Sequence, residues 1–189
     1  MTQRRIPCCT ARALSFLGFL ILAGGVSAAD SPIRSIDITQ DSDRYRADVT
    51  MFAPVPVGVA WDVLTDFDHM ARWVPNLRDS KGTVTDPNNV TVEQQGVARF
   101  GIFSFPYTSV RQMQLNPQQT VKATQIKGSM RSLESLMTLA AEGSGTKLMY
   151  HLEIVPAGAA AAVLSKDFLE HELREQFGAI IDEMVRRSR

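Results

Sequence analysis

With 189 residues, 44% of them hydrophobic, and 20 basic against 20 acidic side chains, the chain is long enough for one domain with a single core. It holds no basic run that would follow a phosphate backbone, so nucleic acid is excluded as an expected partner. The two cysteines, Cys8 and Cys9, precede the first apolar run, so disulfides, thiolate nucleophiles and cysteine-held metals are not expected beyond it.

The chain opens with Arg4, Arg5 and Arg12, the apolar run "ALSFLGFLILAGGV" and the small-residue stretch "SAAD". That order predicts a secretory signal peptide over residues 1–29, cut after Ala28 or Ala29. The apolar run falls short of the ~20 residues that cross a bilayer. The expected mature protein is then a single domain, 30–189, periplasmic or secreted. Twenty basic residues less those three arginines leave 17 against 20 acidic, a mildly acidic surface.

Next, "SIDITQDSDRYRADVTMF" alternates on both sides of the turn-like "QDSD", which predicts a β-hairpin or one long bent strand. Pro54 and Pro56 precede a run in which Val57, Trp61 and Leu64 recur at helical spacing, so a helix is expected from about Pro56. A second short helix, "DHMARWV", is expected with Asp66 or Asp68 as N-cap and an end before Pro75. From Leu77 to Pro156, alternation broken by "DPNN", "NPQQ" and "GSG" predicts about five or six antiparallel strands. The chain closes on a predicted amphipathic helix over roughly Ala160 to Arg187, with Leu169, Leu173, Phe177, Ile180 and Met184 on one stripe. Such a stripe needs a sheet to bury against, and a curved sheet gripping the helix is the economical solution.

That order of elements, with "AWDVLTDFDHMARWVPNL", "VEQQGVARFGIFSFPYTSVRQMQL" and "GTKLMYHLEIVP", resembles the START-like, or polyketide cyclase/dehydrase, superfamily. Within it the chain looks like the branch related to coenzyme Q-binding proteins. The most specific piece is W-x-x-L-x-D-F-x-x-M-x-x-W-x-P, at Trp61, Leu64, Asp66, Phe67, Met70, Trp73 and Pro75. The resemblance implies an α+β helix-grip fold: a curved antiparallel sheet around a long C-terminal helix, with two short helices after the first strand. It also implies that the short helices close one end of a tunnel. Trp61 and Leu64 would then be anchors, and Phe67 and Trp73 would line the mouth.

Strand parity predicts what faces inward. On "FSFPYTSVRQMQL" the odd set includes Phe105, Tyr107, Ser109, Arg111 and Met113; on the next strands but one, Met137 and Tyr150 share the inward set. A bulge would flip that parity and leave Arg111 a solvated surface charge. The expected ligand-binding set is Phe67, Trp73, Phe105, Tyr107, Arg111, Met137, Tyr150, Leu173 and Phe177, an apolar pocket with a few orienting polar groups.

Catalytic motifs are sparse. His69, His151 and His171 lack metal-ligand spacing, "EGSGT" is no nucleophile elbow, and Glu134, Glu153 and Glu170 show no pairing that would split acid from base. No cofactor and no metal are expected. The expected function is a non-enzymatic carrier for one apolar molecule such as a quinone, isoprenoid or lipid, with transient membrane contact for ligand exchange. The alternative is a cyclase- or dehydrase-like enzyme in which Arg111 or Tyr107 polarises a carbonyl and Tyr150 or His69 assists proton transfer. A third reading is an interaction module whose cavity is filled by its own side chains.

Overall fold

A computed structural model describes residues 31–100 and 103–189. The predicted signal peptide lies outside the described residues. Alternation at the start resolves as a true hairpin, β1 (Ile33–Asp41) and β2 (Arg44–Ala53), whose turn carries Ser42 at φ 57°. Helix α1 (Val57–Thr65) and a 3₁₀ helix (Phe67–Arg72) therefore follow the second strand of the fold, not the first. The six strands β3 (Leu77–Asp86), β4 (Asn89–Phe100), β5 (Phe103–Asn116), β6 (Thr120–Gly128), β7 (Met130–Glu142) and β8 (Gly145–Pro156) come next. Helices α2 (Ala160–Val163) and α3 (Lys166–Arg187) end the chain.

All eight strands form one antiparallel sheet in the order β1-β2-β8-β7-β6-β5-β4-β3. The first hairpin pairs with the last strand, so the link from β2 to β3, which holds α1 and the 3₁₀ helix, must cross from one flank of the sheet to the other. The sheet stays open, with β1 and β3 as its edges. This is the helix-grip α+β arrangement. Period-2 side-chain alternation fixes which face is buried: in β2, Tyr45, Ala47, Val49, Met51 and Ala53 are all buried, while Arg46 and Asp48 point away.

Against that face α3 lays Leu169, Leu173, Phe177, Ile181 and Met184, with Ile180 half-buried beside them. Each such side chain contributes about 1.5–3 kcal/mol of burial. The helix does not run unbroken from Ala160. Leu164 is extended at ψ 123°, and its carbonyl accepts a hydrogen bond from the Tyr45 hydroxyl at 3.0 Å. Ser165 then caps α3, its Oγ accepting from the Phe168 N–H at 3.1 Å. A cap residue in mid-pattern outweighed the helical periodicity.

The predicted second helix is a 3₁₀ turn starting after Asp66, whose side chain makes no capping bond. Its carboxylate instead accepts from Arg187, 2.7 Å away, and lies 2.6 Å from His69 Nδ1.

Candidate ligand cavity

Between the sheet and α3 lies a cavity in two chambers. One, of about 180 Å³, lies beside α2 and is bounded by Phe105, Ser129, Val163, Leu164 and Phe168. The other, of about 140 Å³, lies beneath α1 and the 3₁₀ helix, bounded by Leu64, Phe67, Met70, Met113, Met137 and Ile180. Gln94, Tyr107, Arg111, Tyr150, Leu173 and Gln176 line both, so these six form the waist. Leaving out the waist, Ser135 is the one polar side chain lining the α1 chamber among the described residues. The α2 chamber is mixed, with Ser109, Gln125 and Glu172 among its walls.

Arg111 reaches the waist because the irregularity beside it falls on the neighbouring strand. Val110 pairs with Lys127 and Arg111 with Gln125, which leaves Ile126 of β6 as the extra, exposed residue. The alternation of β5 is undisturbed, and Tyr107, Ser109, Arg111 and Met113 all face the cavity. Arg111 Nη2 donates to Gln94 Oε1, and Gln94 Nε2 donates to Ser80 Oγ at 3.0 Å. The buried Arg111 Nε has no partner, and among the described residues Arg111 forms no ion pair. Burial pulls its pKa below the usual arginine range.

Burial also pushes the Tyr107 and Tyr150 hydroxyls up, so both stay protonated near neutral pH. Tyr150 shares a hydrogen bond with Ser135 and meets the Phe177 ring edge-on, centroids 4.9 Å apart. Ser109 Oγ and Gln125 Oε1 are buried without partners among the described residues, while Gln125 Nε2 donates to the Met130 carbonyl at 2.8 Å. Unpaired polar atoms on a cavity wall are costly unless something in the cavity meets them.

Several wall residues lie outside the predicted set, among them Gln94 and Gln176 of the waist and Glu172. Glu172 of α3 is 6% exposed and accepts from Asn76 Nδ2 at 3.2 Å, the Arg99 N–H at 3.3 Å and Gln176 Nε2 at 3.2 Å. Burial outweighs these donors and pushes its carboxyl up. It sits three residues after Leu169, on the edge of the apolar stripe, and that spacing was the available signal.

Of the predicted ligand-binding residues, Phe67, Met137 and Phe177 border the α1 chamber, Phe105 borders the α2 chamber, and Tyr107, Arg111, Tyr150 and Leu173 line the waist. Trp73 lines neither. Its ring packs under the Arg187 guanidinium, 4.7 Å from the centroid, in a surface cleft with Asp66, His69 and Glu183. The backbone turns after Met70, whose carbonyl accepts from both Trp73 and Val74 N–H, and it is Val74 that borders the chamber. His69 belongs to the same outer cleft, so it has no access to the waist as a proton carrier. Trp61 is half-buried against the core, and Leu64 is buried. His151 lies outside, 2.8 Å from Asp48. Among the described residues, no group of three or more His, Cys, Asp or Glu is placed to hold a metal.

Residues 53–180 match the family model described as polyketide cyclase / dehydrase and lipid transport. The chain belongs to this family. Among solved structures, the Zhui aromatase/cyclase from Streptomyces is similar over 77% of this chain and 96% of its own, with TM-score 0.65 at 17% identity. A STAR-related lipid transfer protein from Xanthomonas axonopodis is similar over 79% and 98%, with TM-score 0.61 at 10% identity. A START superfamily protein from Mycobacterium smegmatis is similar over 76% and 96%, with TM-score 0.59 at 9% identity. At these identities the likeness shows a shared fold. No curated protein matches the sequence. Family and fold together point to hydrophobic-ligand binding or cyclase-type chemistry.

Proposed function

We propose that the protein is exported and carries one apolar small molecule, such as a quinone, isoprenoid or lipid, between the sheet and α3 without transforming it. The observation that carries this reading is the cavity itself. Chambers of about 180 and 140 Å³ are each roughly ten times the ~10–15 Å³ that one water needs, and mostly apolar side chains wall them. That volume speaks against a space filled by its own side chains. Export is supported by the signal-like order of residues 1–29. It accords with a lipid or quinone source at a membrane, and with the resemblance to coenzyme Q-binding proteins.

The waist supports holding over turnover. Both tyrosines are neutral donors near pH 7, and Glu172 spends its oxygens on three donors. One observation favours a second reading: Arg111, Tyr107 and Tyr150 line the same waist and together offer donors to a carbonyl held there, and a similar fold belongs to an aromatase/cyclase. Native mass spectrometry of the protein recovered from its own host tests the two. A co-purifying apolar molecule released unchanged supports the carrier. Conversion of an added poly-carbonyl compound, lost in Tyr150→Phe, supports the enzyme.

A further inference from the structure

The geometry points to a ligand that carries a single carboxylate, seated at the waist against Arg111 with its hydrocarbon chain in the α1 chamber. This rests on the carrier reading and names the class of molecule carried. Among the described residues, Arg111 is the one cationic side chain lining either chamber. Among the described residues its one side-chain hydrogen-bond partner is the neutral amide of Gln94, and its buried Nε is unpaired. Arg111 is partly buried, and a guanidinium held largely away from bulk water without a counter-charge is costly, which makes an anion its natural complement. The waist itself brings no acid against it among the described residues: the Tyr107 and Tyr150 hydroxyls and the Gln94 and Gln176 amides are all neutral.

The charge count selects a monoanion. Arg111 brings one positive charge, which a monoanion neutralises and a phosphate dianion exceeds in a low-dielectric space; Glu172, the one acidic side chain lining the α2 chamber among the described residues, is held by its own three donors, and burial favours its neutral form. Beyond the waist the α1 chamber is walled by Leu64, Phe67, Met70, Met113 and Met137, an apolar lining in which Ser135 is the one polar side chain among the described residues. A headgroup at the waist and a chain running under the short helices satisfies both surfaces.

Calorimetric titration of the full chain at pH 8 with straight-chain carboxylic acids of eight to sixteen carbons, and with the alcohols of the same lengths, tests this. The best acid is expected to bind about tenfold or more tighter than its alcohol, as a charge-assisted bond at a buried site provides. In Arg111→Gln the acid should lose its advantage over the alcohol of the same length. Equal binding of acid and alcohol to the native chain, or a preference that survives Arg111→Gln, overturns the carboxylate assignment and leaves the carrier reading standing. Absence of binding by every acid, alcohol and quinone tried overturns both. Should Arg111→Gln fail to fold, the native chain decides through pH: the acid's advantage over the alcohol must fade as pH falls below about 4, where the carboxylate protonates, and an advantage that persists there overturns the assignment.

Discussion

The Arg187 guanidinium lies over the Trp73 indole, 4.7 Å from the ring centroid, and from there donates to Asp66 and to Glu183, each at 2.7 Å. One side chain in the last turn of α3 thus fastens the gripped helix to the 3₁₀ segment beneath which the α1 chamber lies. The placement suits a helix C-terminus, where the macrodipole favours a cation. Arg187→Ala should lower the unfolding free energy by about 1–2 kcal/mol, since the group is partly exposed and its bonds are screened. Urea unfolding followed by tryptophan emission measures this. A loss no larger than that of Arg174→Ala, an exposed i,i+4 pair with Glu170, would show that the clasp does not hold.

The same clasp sets the acid limit of stability. Hydrogen bonds from Arg186 and Arg187 hold the Glu183 carboxyl down at about 2, against an ordinary value of 4.5. At Asp66, burial alone would raise the pKa, but bonds from Arg187 and His69 outweigh it and lower it. For a depressed folded pKa the stabilisation is present above the unfolded value and is lost as pH falls through the folded one. Melting temperature should therefore drop between about pH 4.5 and 2, and Glu183→Gln should flatten that drop. Glu172 acts with the opposite sign. Its folded pKa is raised, so its contribution is full below the ordinary value and fades as pH rises through the folded one. A Glu172→Gln variant should lose that component alone.

Trp61 and Trp73 show where the sequence was legible and where it was not. Period-2 patterns located the inward faces of β5, β7 and β8, because one-sided burial of a sheet leaves a direct mark on composition. For Arg111 the sequence leaves both faces open, and it lies on the inward one because the bulge residue falls at Ile126 of β6. No local pattern encodes that choice. Trp73 was misjudged because a 3₁₀ turn rotates side chains by a different period from an α-helix, and because its partner Arg187 is distant in sequence. The Gln94 contact to Arg111 and the donors around Glu172 are likewise long-range side-chain pairings. The break at Leu164 was readable in principle from Ser165, a cap residue ahead of the apolar stripe.

Gly96 offers a stringent check on how the waist is assembled. A Cβ there would collide with the Asn76 carbonyl oxygen and lie 2.7 Å from the Tyr107 ring. The Asn76 carbonyl accepts from the Val97 N–H at 2.7 Å, and its residue holds φ at 65°, so the backbone has little room to retreat. Gly96→Ala should cost about 2–3 kcal/mol, at the upper end of overpacking effects, and should disturb Tyr107 as well. Thermal unfolding would register the first and calorimetric affinity for the best straight-chain carboxylic acid the second; an unchanged melting temperature would place Asn76 elsewhere.

The α1 chamber should act as a ruler for the ligand's chain. Ala123 of β6 is 2% exposed and borders that chamber beside Val121 and Met137, so a larger side chain there has empty space to enter. Ala47 of β2 is equally buried but borders neither chamber. Ala47→Leu should therefore cost about 1–3 kcal/mol of stability, the usual penalty for overpacking, while Ala123→Leu should cost little or even stabilise. The functional effect should run the other way. Filling the chamber removes room for the far end of a bound chain, so the longest hydrocarbon chains tested should lose about tenfold or more in affinity, roughly two buried methylenes' worth. Short chains should be nearly unaffected. Binding measured across a series of chain lengths, together with urea melts of both variants, separates the cases. Equal destabilisation by the two substitutions, with no change in the preferred chain length, would mean that the chamber is closed packing in solution and that the ligand's chain does not run beneath the short helices.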